Sequence, residues 1–208
     1  MFLPKPTESA SFAPPPAGTF PAVCYRIIDL GTQESTYLGK PKKSREVLIS
    51  WELADPDATT EDGKPMSIHQ RFTWSMHEKS QLRKTLESWR GKAFGDSDFG
   101  EGGFDIRKLL GMACFIGITH VERNGMTYAN VSAISKLPKN MDTPPQVNES
   151  VFLWLDKADF DAVAFAKLSE KLQDQIKHSP EYQKLVNGKP QEAIYDAEHV
   201  PFNDDVPF

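Results

Sequence analysis

The chain has 208 residues, 39% of them hydrophobic and 25% charged, with 16 Pro and 13 Gly, which suits one core with irregular appendages and excludes fibrous and collagen-like architectures. No apolar run exceeds five residues, as at Val151 to Leu155, and the N-terminus lacks a charged region leading into an apolar one, so neither a membrane span nor a signal peptide is expected. The net charge of −5 is unevenly placed: residues 139–208 hold seven Lys against thirteen Asp or Glu, whereas residues 1–138 carry a net +1.

Residues 1–17 are rich in Pro, including Pro14-Pro15-Pro16, and are expected to form an extended or disordered arm. Thr19 to Leu30 reads as a first strand ending at Gly31. A second strand runs from Arg45 to Leu53, where Val47, Ile49, Trp51 and Leu53 alternate with polar neighbours and so share an inward face. A turn-rich loop, Asp55 to Pro65, leads to a third strand near Ile68 to Met76. Leu82, Leu86 and Trp89 then mark a helix from about Glu78 to Arg90, with Gly91 placed to end it. After a short turn at Ile106 to Leu110, strands at Met112 to Val121 and Met126 to Leu137 flank Asn124-Gly125, a tight-hairpin signal.

Three strands, a helix and two strands is the order of an OB-fold, a five-stranded barrel whose strand 2–3 face and L12 and L45 loops bind single strands. Another small barrel such as an SH3-like one shares much of this order. The sequence therefore predicts a mainly β protein: an OB-fold domain over 18–138 with an inserted helix, a C-terminal α-helical appendage over 139–188, and disordered termini, the second being the acidic tail 189–208. In the appendage, Phe165, Leu168, Leu172 and Ile176 form one helical stripe that stops before Pro180, and a further turn holds Tyr182 and Leu185. The stripe packs on the barrel or joins two copies into a homodimer.

The last seven residues are Phe202-Asn203-Asp204-Asp205-Val206-Pro207-Phe208. They resemble the acidic tip of bacterial single-stranded DNA-binding proteins, which ends in Asp residues, an aliphatic residue, Pro and Phe. The resemblance rests on Asp204, Asp205, Val206, Pro207 and Phe208, less than a tenth of the chain, with Val where the family usually has Ile. It implies docking on replication, recombination and repair enzymes, the Phe entering an apolar pocket ringed by basic residues. Carboxylates beside a Pro-restrained ring suit that chemistry whatever the family, through charge-assisted hydrogen bonds and aromatic burial. The acidic run is short and the preceding stretch partly helical, a layout closer to a phage variant than to the housekeeping bacterial protein.

Four cations in six residues, Lys40, Lys42, Lys43 and Arg45, fall at the junction of the first two strands, the L12 position, where phosphates could be gripped without sequence preference; the same run would also suit a solvated hairpin tip. Tyr37 just before it, and Arg71, Trp74 and Tyr128 on later strands, complete the candidate DNA-binding set through charge and stacking. Strand parity assigns Trp51 to the core. Lys79, Arg83 and Arg90 share a helix side, which reads first as a solvated face.

No nucleophile or phosphate-loop motif occurs, the five His lack ligand spacing, and no cofactor or metal is implied. Cys24 and Cys114 are read as buried strand residues, compatible with a reducing cytoplasm. The expectation is a non-enzymatic, cytoplasmic single-stranded DNA-binding protein that recruits partner enzymes through its tip. Two other readings stand beside it: a protein-interaction adaptor without nucleic-acid binding, and a metal-dependent nuclease using Asp96 and Asp98.

Overall fold

A computed structural model describes residues 13–37, 39–99 and 103–187. Six strands and four α-helices occur there: β1 Gly18–Tyr37, β2 Lys40–Leu53, β3 Ser67–Thr73, α1 Gln81–Arg90, β4 Ala113–Arg123, β5 Met126–Ser135, β6 Val151–Leu153, α2 Ala162–Ala166, α3 Glu170–Lys177 and α4 Pro180–Asn187, with short 3₁₀ turns at Asp96–Asp98 and Ile106–Leu109. The protein is mainly β. Five strands pair antiparallel in the order β3-β2-β1-β4-β5, and β6 adds parallel to β1. The sheet is open, since β3 and β5 approach within 8 Å between Cα atoms without pairing among the described residues.

Alternation built the meander as expected. Val47, Ile49, Trp51 and Leu53 of β2 are buried in one apolar cluster with Ile27, Phe72, Leu82, Leu86, Trp89 and Ile116. The other parity of β2 is also closed to water, because Leu48 joins a second cluster with Ile28, Leu30, Leu153, Leu155, Phe165, Leu168 and Ile176. The appendage thus packs on the sheet's opposite face. Two buried carboxylates fasten it. Glu52 accepts from Val147 N at 2.6 Å and from Asn148 N and Nδ2 at 2.7 and 2.6 Å, while Asp29 accepts from Leu155 N at 3.2 Å.

Several boundaries differ from the sequence reading. β1 does not end at Gly31: it continues to Tyr37 through a bulge at Asp29/Gly31, with Gly31 at φ 70° and its N–H donating to Asp29 Oδ1 at 2.9 Å. A side chain at Gly31 would strike Ser179, so only Gly lets the appendage close there. Lys40 to Arg45 is therefore not a loop but the first part of β2, paired with Gln33 to Tyr37 and Thr32. Helix α1 starts later, at Gln81, because Ser80 Oγ accepts from Arg83 N and caps it. Phe152 and Leu153, expected within the helical appendage, instead fall in β6, and Trp154 and Leu155 follow it. The single stripe is split between α2 and α3, each opened by its own residue at the cap position, Asp161 and Ser169. The stripe does stop before Pro180, as α3 ends at Lys177, and Pro180 begins α4, the further turn with Tyr182 and Leu185, where its missing N–H costs no bond. Asn124 at φ 52° and Gly125 at φ 73° make the tight β4–β5 turn the dipeptide signalled. Of the N-terminal arm, Pro15 lies within the described residues and its carbonyl accepts from His120 Nε2 at 2.8 Å. No helix among the described residues is long and apolar enough to cross a membrane.

Candidate functional site

The end of the β1–β2 hairpin carries most of the cations singled out from sequence. Lys40 and Lys43 are exposed and Lys42 is half-buried along β2, with Lys43 Nζ 2.7 Å from Glu34 across the strand pair. Tyr37, last in β1, stands opposite Lys40; its side chain lies outside those described. Two residues beyond Lys43 the backbone brings Arg45 beside Trp74, whose N–H donates to Arg45 O at 2.7 Å. Arg45 is not a free phosphate ligand: its guanidinium grips buried Asp29 with both Nε and Nη2, which corrects its sequence assignment. Unpaired, Asp29 would be a costly buried charge, and Arg45 removes that penalty.

Arg45 also lies over a ring that the sequence reading missed. Its Cζ is 5.2 Å from the Trp154 centroid, and Trp154 meets Trp74 edge-on at 4.8 Å. On its other side Trp154 stacks on Phe152 at 5.7 Å with 2° between planes, and Arg107 Cζ lies 5.7 Å from the Phe152 ring. These rings are half-buried and form a ladder edged by cations, so aromatic surface and positive charge lie together. Leu153 and Leu155 face the second cluster, so Phe152 and Trp154 take the opposite parity, which the unbroken apolar run Val151 to Leu155 does not itself mark.

The other assigned residues lie apart from this ladder. Arg71 faces outward on β3, donates from Nη2 to Gln175 Oε1 at 2.6 Å and sits 3.8 Å from Glu46, so α3 already engages it. Burial raises the Glu46 carboxyl above its ordinary value, against the pull of Arg71 and Lys42. Tyr128 is 45% exposed and lines a groove of about 550 Å³ between β3 and β5 with His69, Met126 and Pro15. Desolvation, with Arg26 and Arg71 nearby, holds His69 below the usual imidazole range. Along β2 the structure places Lys43 and Arg45 on one parity, with Trp74 at Arg45, and Lys40 and Lys42 on the other, Lys42 on the side of Glu46 and Arg71, and it leaves Tyr128 at the open seam.

The helix cations are not a uniformly solvated face. Arg83 pairs with Glu87 at 3.0 Å and donates to the carbonyls of Met76 and Phe94, and Arg90 binds Asp98 at 2.6 Å. Asp98, a candidate ligand of the nuclease reading, is so engaged that its carboxyl is held at about 2 by Arg90 and the Gly95 N–H. Burial pushes the Cys24 thiol up to about 12. Asp204, Asp205, Val206, Pro207 and Phe208 lie outside the described residues. No family model matches the sequence, and no curated protein matches it.

Proposed function

We propose that the protein binds single-stranded DNA without sequence preference, as a non-enzymatic OB-type module, and recruits replication or recombination enzymes through Asp204 to Phe208. The observation that carries this reading is the continuity of the Lys40–Lys43 strand with the Arg45, Trp154, Trp74 and Phe152 ladder. Cations that hold a phosphate backbone and rings that stack on bases are the two parts such a module needs. The strand order supports the barrel: β3-β2-β1-β4-β5 is the OB path opened at the β3/β5 seam, with α1 between β3 and β4 as the fold requires. On this reading the strand runs along the β1–β2 hairpin and over the ladder, since the outer face of β2 is covered by the appendage.

The adaptor reading draws on that same cover, which closes much of the β1–β2 face a ligand would otherwise use. One titration separates the two. The full chain is titrated with oligo-dT and with duplex DNA at two salt concentrations, followed by gel shift. Saturable binding of the single strand alone, weaker in salt, is the expected result. Each lysine that stops neutralising a phosphate should reduce the slope of log affinity against log salt by about 0.7, so Lys40→Ala/Lys42→Ala/Lys43→Ala should lower it by about 2. Absence of any oligonucleotide binding overturns the proposal and leaves the adaptor.

A further inference from the structure

A cavity of about 580 Å³ opens beside α1, a volume that small molecules and cofactors commonly fill. Its lining is mostly apolar and includes Met112 and Met141, which are 53% and 41% exposed and so within reach of a ligand. Lys108, Lys136 and Lys139 line it too. All three are exposed and form no ion pair, and no acidic residue lines the cavity, among the described residues. Lys108 belongs to the 3₁₀ turn Ile106–Leu109, where about three residues per turn bury Ile106 and Leu109 together and leave Arg107 and Lys108 outside. The cavity is also continuous with the ladder. A smaller hollow of about 220 Å³ is lined by Trp74 and shares Leu86 and Phe104 with the larger one, and no charged side chain lines it among the described residues.

We propose that a single strand held on the ladder continues past Trp74 and Phe104 into the cavity beside α1, with a base in the apolar hollow and the flanking phosphates on Lys108, Lys136 and Lys139. This assignment rests on the single-strand reading above and adds to it a second group of phosphate contacts, from residues outside the β1–β2 hairpin. The chemistry is that of a nucleotide: exposed cations beside an apolar hollow, with nothing anionic in the lining to repel a phosphate. Trp89 and Phe94 are only 4% and 6% exposed, so the base is held by the Met112 and Met141 side chains and not by ring stacking. Arg107, over the Phe152 ring, is engaged by Asp105 and Asp159, which routes the strand by way of Trp74 and not across that arginine. An acidic peptide would match the lysines equally well. Only a strand already anchored at Trp74 is delivered to the cavity along a continuous surface, with the high effective concentration of a tethered ligand.

The test titrates the full chain and full-length Lys108→Ala/Lys136→Ala/Lys139→Ala, changes confined to exposed side chains, with oligo-dT of about 4 and about 16 nucleotides, the span of OB-fold footprints. For the longer oligonucleotide the triple variant should lose about 2 from the slope of log affinity against log salt, three phosphates at about 0.7 each, and for the shorter one nothing. In methionine-methyl NMR spectra of the full chain, Met112 and Met141 should move with the longer oligonucleotide only, while the buried Trp51 indole stays fixed. An unchanged slope in the folded variant, or methyls that stay in place with the longer oligonucleotide, overturns the assignment. Equal movement with the shorter one overturns the continuation from the ladder, and methyls that answer oligo-glutamate as strongly as oligo-dT overturn it in favour of an acidic peptide. Absence of binding by either oligonucleotide overturns the single-strand reading itself, whereas binding that reaches only the hairpin and the ladder overturns this inference alone.

Discussion

Rings and cations come together in the ladder and again beside α1, and the neighbours of the arginines set these two places apart. At the β1–β2 end, Arg45 is clamped on buried Asp29 and laid over Trp154, so its geometry is fixed by the core. Beside α1, Arg90 has one nitrogen buried without a partner, and three lysines stand around an apolar hollow with no ion pair, among the described residues. The first is a finished surface on which the fold itself supplies the counter-charge. At the second, the fold supplies no acidic partner to the lining lysines among the described residues. A cation's neighbours therefore say more about its use than its place in a basic run.

The comparison is broken most forcefully at Asp29. Asp29→Ala strands the Arg45 charge and the N–H groups of Gly31 and Leu155, and should lower stability by about 3–5 kcal/mol in urea titrations. Glu52→Ala, which frees three donors of Val147 and Asn148, should cost about 2–3 kcal/mol and speed amide exchange at those two residues first. Trp154→Ala should weaken oligo-dT by about 1–3 kcal/mol, roughly five- to 150-fold, if the ladder stacks on bases; Trp154→Phe should recover most of it. Unchanged affinity in a folded Trp154→Ala protein would refute the ladder's role.

The smallest expected effect concerns pH at the α1 side. Asp98 is held at about 2, below the ordinary aspartate value of 3.8, chiefly by its hydrogen bond from Arg90. A depressed carboxyl adds stability that is complete above 3.8 and is lost as pH falls towards 2, so acid unfolding should steepen across that window. Asp98→Asn should flatten it, which a set of urea midpoints between about pH 2 and 4.5 would detect.

Much of the sheet was legible because period-2 alternation and the Asn124-Gly125 turn act locally. The inward parity of Val47 to Leu53 and the helix through Leu82, Leu86 and Trp89 needed no tertiary information. What could not be read depended on partners distant in sequence. β6 is only three residues long, and its identity as a strand comes from Arg26–Ile28 far up the chain. Likewise nothing local marks Arg45 as Asp29's partner, for the bulge at Asp29/Gly31 sets that pairing. The candidate ladder is half visible in the sequence. Trp74 stands out in the run of clear alternation that β3 ends one residue before it, but Phe152 and Trp154 sit in an unbroken apolar run, where both parities look alike until the second cluster claims Leu153 and Leu155.

β1 gives its first six residues, Gly18–Val23, to β4 and then Arg26–Ile28 to β6, with a bulge between the two stretches. While the chain is being synthesised, β1 and β2 can join early, but the amide row at Arg26–Ile28 stays open until Leu153 has left the ribosome. An open row invites pairing with another nascent chain. Here it spans three residues between two register breaks, too short and too twisted to template a long intermolecular ladder.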